Sequence, residues 1–247
     1  MGKVSIPSVN RIAGRQSIKM DNLDVFNGIE LKRDRRLSVE IYEVLRLLII
    51  KTALHPGQFI SEVDVGNMLG VSRTPVREAF LNLARDGFVE IFPQSHMKVS
   101  KISAKDLEQA MFIRETMELA SIPLVVKNIS ENCIVNLENI NKRIRSTIRD
   151  DDYVGFIEND DLFHRTLIES SGYDLVVDIV RQVGGRLDRL RYITSAMPGA
   201  AELSAQDHDD LISALRDKNV VACEEVLRGH LQRSWEKLKR AIQTHGS

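Results

Sequence analysis

A chain of 247 residues, 43% apolar and 28% charged with a formal net charge of −1, has the length of two compact domains and no global attraction to polyanions or charged membrane surfaces. Its two cysteines, Cys133 and Cys223, have no metal-type spacing; they exclude a disulfide-stapled scaffold and fit a reducing interior. No apolar run approaches the ~18 residues of a membrane span and no signal-peptide core opens the chain, so a cytoplasmic protein with no membrane partner is expected.

Charge is unevenly placed. Residues 31–101 hold 11 Lys and Arg against 8 Asp and Glu, an excess of +3, whereas residues 102–247 hold 19 against 24, an excess of −5. The first 30 residues are polar and mixed, without sustained periodicity, and with the charge cluster Lys32-Arg33-Asp34-Arg35-Arg36 they are expected to form an N-terminal tail or docking arm over 1–36. That cluster reads either as a solvated face or as a phosphate contact.

A first domain is expected over 37–101. Ser38 to Thr52 is a helix with Ile41, Leu45, Leu48, Ile49 and Thr52 on one face, closed by His55-Pro56-Gly57. Ser61 and Asp64 suit a capping box for a short helix to Leu69, which Gly70 ends in a left-handed turn. Ser72 stands where it can cap the next helix, Pro75 falls in its first turn, and Val76, Phe80 and Leu83 form its buried stripe. Arg73 and Arg77, four apart, project from one side of its N-terminal end. Two short helices joined by a glycine turn, the second leading with polar and basic side chains, describe a helix-turn-helix. An ordinary helical hairpin with surface arginines is the alternative. Downstream, Gly87 to Pro93 and Met97 to Ser100 read as a two-stranded hairpin with Gln94-Ser95-His96 at its tip, which makes the whole a winged helix-turn-helix.

The run Pro56-Gly57, Ser61-Glu62, Leu69-Gly70-Val71-Ser72-Arg73-Thr74-Pro75-Val76-Arg77-Glu78-Ala79, Leu83 and Gly87 resembles the DNA-binding half of the GntR superfamily of bacterial transcription regulators. The resemblance implies DNA contacts from Ser72, Arg73, Thr74, Arg77 and the wing. It departs at His96, where the family's wing tip usually carries glycine.

From residue 102 onward the pattern is helical throughout, and an antiparallel all-α bundle of about six helices is expected over 102–247. Pro123 should kink or divide the first of them, Gly184-Gly185 is a weak point in the fourth, and Met197-Pro198-Gly199 breaks the chain. The protein is therefore expected to be mainly α. Four polar residues fall on faces that should be apolar. Asp160 and His164 are four apart in the stripe of Phe156, Phe163 and Leu167; His208 shares a face with Leu211, Ile212 and Leu215; His230 lies among Leu227, Leu231 and Leu238. Each alone reads as a satisfied core residue. Together, three imidazoles and a carboxylate are ligands for one divalent ion, zinc first, with nickel, manganese and iron served by the same set. Arg114 is a fifth polar intruder, either paired with Glu118 at i+4 or facing the cavity to capture a carboxylate.

Arg114-Glu115-x-x-Glu118, Asp160-x-x-Phe163-His164, Gln206-Asp207-His208-x-x-Leu211 and Leu227-x-x-His230-Leu231 resemble the effector-binding FCD domain of the FadR subgroup within that superfamily. What this resemblance implies is a homodimer on a palindromic operator, usually a repressor, with a metal held by Asp160, His164, His208 and His230 and a small organic acid completing the coordination. Two rivals stand beside it: a metal-dependent hydrolase, which lacks an inward Glu, Lys or Tyr at convincing spacing for a general base, and a DNA-binding protein with a purely structural metal.

Overall fold

Ile41, Leu45, Leu48 and Ile49 are all buried, on the inner face of α1 (Leu37–Ile50). The computed structural model describes residues 23–31, 36–92, 96–101 and 104–245, and the chain separates into two units between Lys101 and Ile102. Thr52, expected to extend the α1 stripe, lies beyond the helix in a left-handed turn with φ +56°. The helix α2 (Glu62–Leu69) starts at Ser61, whose Oγ accepts the Asp64 amide at 3.1 Å, and it stops at Gly70 with φ +64°. Val76, Phe80 and Leu83 of α3 (Arg73–Arg85) are buried, and α3 packs on α1.

Three features depart from the sequence reading. Ser72 is the N-cap residue of α3, yet its side chain makes no cap bond. The expected two-stranded wing is a three-stranded antiparallel sheet, because β1 (Phe59–Ser61) pairs with β3 (His96–Val99) on the side away from β2 (Val89–Phe92). A three-residue strand is too short for alternation to register in sequence. His96 sits within β3, opposite Phe92 and Ser61, rather than at the tip. Of the expected tail, residues 1–22 and 32–35 lie outside the described residues, whereas Leu23–Phe26 forms a short 3-10 helix that packs on α2 with Phe26 buried. Since only Ser61 makes its cap bond, Ser61→Ala should cost about 1 kcal/mol in denaturant unfolding of this unit, and Ser72→Ala should leave it within about 0.5 kcal/mol of the parent.

The second unit holds six helices among the described residues: α4 (Ala104–Asn128), α5 (Glu131–Arg149), α6 (Tyr153–Glu169), α7 (Asp174–Ser195), α8 (Ala200–Arg216) and α9 (Val220–His245). Ser130 and Asp152 cap α5 and α6 through the amides of Cys133 and Gly155. Pro123 does not divide α4: its ring is exposed, and the flanking Ser121, Ile122, Val125 and Val126 are buried and hold the turn in place. Similarly α7 runs unbroken through Gly184-Gly185. Apolar packing falls into two clusters. The larger joins the C-terminal half of α4 to α5, α6, α8 and the first half of α9; the smaller joins Leu107, Ala110 and Met111 of α4 to Leu187 and Leu190 of α7 and Leu238 and Ala241 of α9. Arg114 and Glu118 lie between the two clusters along α4, as do His230, which adjoins Leu231 of the larger one, and Ser234 along α9. The polar residues thus form a belt across the bundle.

Candidate functional site

Helical spacing places Asp160 and His164 one turn apart on α6, and α8 and α9 bring His208 and His230 to them. One ligand atom from each of these four lies within 4.8 Å of all the others, and all four residues are buried. The His164 Nε2 is 3.2 Å from the His230 Nε2, and the His208 Nε2 is 3.4 Å from Asp160 Oδ1. Phe163 stacks on the His208 ring at 3.9 Å between centroids, which fixes the plane of that imidazole.

The outer nitrogens decide the proton positions. His164 Nδ1 lies 2.6 Å from Glu118 Oε2, and a carboxylate can only accept, so Nδ1 carries the proton. His230 Nδ1 likewise donates to Asp207 Oδ2 at 3.2 Å. His208 Nδ1 is 3.2 Å from Asn141 Oδ1; the Asn141 Nδ2 donates to the Ala205 carbonyl and to Asp209, which leaves the oxygen as the acceptor for His208. With each Nδ1 proton directed outward, the neutral form of each ring points an Nε2 lone pair inward beside a carboxylate. Both His208 Nε2 and Asp160 Oδ1 are buried without a hydrogen-bond partner, and the Nε2 atoms of His164 and His230 face each other at 3.2 Å. Four convergent acceptors with no donor among them are chemically suited to a divalent cation, and the outer partners are of the kind that orient metal-binding histidines.

Electrostatics favour neutral rings at His208 and His230 and ionised carboxylates at Glu118 and Asp160. Burial pushes the His208 pKa well below its usual value and lowers that of His230. Burial would raise the Glu118 pKa, but His164 and Arg114 outweigh it and hold the carboxyl at about 2. Asp160 is likewise kept below the carboxylate range, against burial, by His164 and Arg191. Arg114 makes the expected ion pair with Glu118, at 2.7 Å from Nε, and its Nη2 also lies 4.0 Å from Asp160 Oδ2. Sequence reasoning missed four contributors. Arg191 of α7 is buried and donates to Asp160 Oδ2 at 2.7 Å and to Asp188 at 3.0 Å; Asn141 and Asp207 fix two histidines; Glu118 is inward-facing and holds the third. The i, i+4 spacing revealed Glu118 only as a partner for Arg114.

Two openings reach the belt. One, of about 340 Å³, lies among α6, α7, α8 and α9 and includes Asp160, Arg191, His230, Ser234 and Lys237; the other, of about 450 Å³, is lined by α4, α6 and α7 and includes Arg114 and His164. In the first unit Ser72, Arg73, Thr74 and Arg77 are exposed at the start of α3. The nearby acid Glu78 is taken by Arg36 at 3.0 Å, and neither Arg73 nor Arg77 has an ion-pair partner among the described residues. His96 is exposed on the outer face of the sheet, which also carries Lys98 over the rings of Phe59 and Phe92.

Residues 37–99 match the bacterial regulatory proteins of the gntR family, and residues 109–233 match the FCD domain. The HTH-type transcriptional repressor RspR of Escherichia coli (strain K12) is 31% identical over 214 residues, spanning 87% of this chain and 94% of RspR. The HTH-type transcriptional regulator McbR of the same organism is 23% identical over 200 residues, 80% of this chain and 90% of McbR. Among solved structures, E. coli McbR/YncC superposes with a TM-score of 0.71 at 22% identity, covering 83% of this chain and 97% of that one. The metal-free FCD domain of TM0439 superposes with a TM-score of 0.50 at 20% identity over 59% of this chain and all (100%) of that one. No described helix is long and apolar enough to cross a membrane. The chain belongs to the gntR family of bacterial regulatory proteins and is a DNA-binding transcriptional regulator whose second half is an FCD domain.

Proposed function

We propose that this regulator is a repressor that binds a palindromic operator as a homodimer, and that a small organic acid held at a metal centre in the helical unit modulates that binding. The observation that carries the metal is the inward convergence of three imidazole Nε2 atoms and Asp160, with each Nδ1 set against an acceptor outside the cluster. Asp160, His164, His208 and His230 would hold one divalent ion, zinc before nickel, manganese or iron. Such an ion supplies positive charge to four facing acceptors and a coordination position for a carboxylate. Arg114, 4.0 Å from Asp160 and bordering the larger opening, would take the acid's other oxygen while keeping its bond to Glu118. The acid changes DNA affinity only by favouring one arrangement of the paired winged domains over another.

On the DNA side, Arg73 and Arg77 would enter the major groove from the start of α3, with Ser72 and Thr74 on the adjoining phosphates and His96 beside them on the wing. The free Ser72 hydroxyl, unused as a cap, supports that role. Arg77→Ala is expected to weaken operator binding by about 1–3 kcal/mol and to relax base preference, measured by fluorescence anisotropy at fixed salt. Parental affinity in both Arg73→Ala and Arg77→Ala would remove the recognition-helix assignment.

A further inference from the structure

We propose that the acid reaches the metal centre through a passage between α6 and α7 that Gly184 keeps open, with Arg165 and Arg181 at its mouth, and that it carries a short aliphatic body. This rests on the effector reading above and adds the route and the class of acid. The larger opening grades from surface to core. Arg165 and Arg181 are exposed, Ile168 and Val180 are buried walls, and Arg114 and His164 form the floor at 3% and 2% exposure. Charge favours an entering anion. Arg181 has no ion-pair partner among the described residues, and Arg165 meets only the half-exposed Glu169 at 3.7 Å. The one acid lining the passage, Asp161, is bound to the Arg191 guanidinium.

Gly184 is the telling position. Glycine weakens a helix interior relative to alanine, so its presence in mid-α7 calls for a reason. Its φ is not in the left-handed region, and a Cβ placed there would meet nothing within 4 Å. Neither backbone conformation nor close packing requires the glycine; what its missing side chain leaves is the free space of the passage. The smaller opening is a poorer entrance, because three of its polar side chains are already engaged with backbone carbonyls and it offers no exposed arginine. Lys237 Nζ donates to the Ala200 carbonyl at 2.9 Å, Ser204 Oγ to the same carbonyl at 3.3 Å, and Thr194 Oγ1 to the Arg191 carbonyl at 3.3 Å. Aliphatic walls above a guanidinium floor suit a carboxylate with a hydrocarbon body better than a polyol acid, whose hydroxyls would be desolvated there without partners.

The test uses the zinc-loaded full chain, with isobutyrate and gluconate as probes, read by thermal shift and calorimetric titration. The parent should bind isobutyrate about tenfold or more tightly than gluconate. Gly184→Leu should keep the parent's zinc content and melting temperature in the absence of acid, while its isobutyrate affinity falls about tenfold or more. The double variant Arg165→Gln/Arg181→Gln should bind isobutyrate several-fold more weakly at low salt and like the parent at about 0.5 M salt. Ser234→Leu, in the other opening, should leave isobutyrate binding unchanged. Parental affinity in both Gly184→Leu and the arginine variant, or loss in Ser234→Leu alone, would overturn the route. A preference for gluconate would overturn the class of acid. A zinc-loaded parent that binds neither probe would instead overturn the effector reading itself.

Discussion

Glu118→Ala is expected to destabilise the helical unit by about 3–5 kcal/mol, the range for stripping one partner from a buried ion pair. Glu118 is buried and serves two neighbours at once, the Arg114 Nε at 2.7 Å and the His164 Nδ1 at 2.6 Å. Alanine would leave the Arg114 guanidinium buried with only Asp160, 4.0 Å away, to answer its charge. The same substitution frees the His164 ring to rotate or to move its proton to Nε2, so zinc affinity should fall by about 10- to 100-fold. Glu118→Gln keeps an acceptor for Nδ1 and removes the charge; it should recover part of the zinc affinity and little of the stability. Urea unfolding followed in the helical unit, with zinc titration on each variant, measures both effects. Zinc affinity unchanged in Glu118→Ala would mean that His164 is not a ligand.

Acid should unfold the metal-free helical unit in two stages. Burial lowers the His208 and His230 pKa values in the folded chain. Below the ordinary imidazole value of about 6.5, the unfolded chain takes up protons that the folded chain refuses. Stability is thus fully present above about pH 7 and declines as pH falls through about 6.5. Glu118, which His164 and Arg114 hold at about 2 against burial, adds a second loss; it begins below the ordinary carboxylate value of about 4.3. Zinc binds the folded form through neutral imidazoles, so at pH 7.5 and 100-fold above its Kd it should add about 2.7 kcal/mol, or roughly 5–10 °C in the melting of this unit. Proton competition should erase much of that gain by about pH 5.5. Melting curves across pH, with zinc and with chelator, check the sign: a metal-free form that gains stability between pH 7 and 6 would contradict neutral buried histidines.

How much of this was legible in the sequence depended on whether the signal was local. The helix-turn-helix could be read because Ser61, Gly70 and Pro75 mark ends and turns within a few residues, and the metal ligands because a polar residue on an apolar stripe is conspicuous at i, i+4 spacing. The partners that orient those ligands left no such trace. His164 and Glu118 are 46 residues apart, and His208 and Asn141 are 67 apart, so only the packing of different helices brings them together. Arg191 stands in the charged run Arg186-Leu187-Asp188-Arg189-Leu190-Arg191, in which nothing local singles it out, and it is buried against three acids, two of them on α6. At the wing, β1 was too short to show alternation, and His96 moved from tip to strand once β3 found partners on both sides. Pro123 predicted a break that the surrounding buried side chains override.

Calorimetric titration of the chelator-stripped full chain with zinc at pH 7.5 tests most directly the claim that Asp160, His164, His208 and His230 form one metal site. The parent should take up a single ion per chain, and Asp160→Ala, His208→Ala and His230→Ala should each lose that binding while the winged unit keeps its fold. An absence of binding in the parent, or equal binding in the parent and all three variants, would contradict the account.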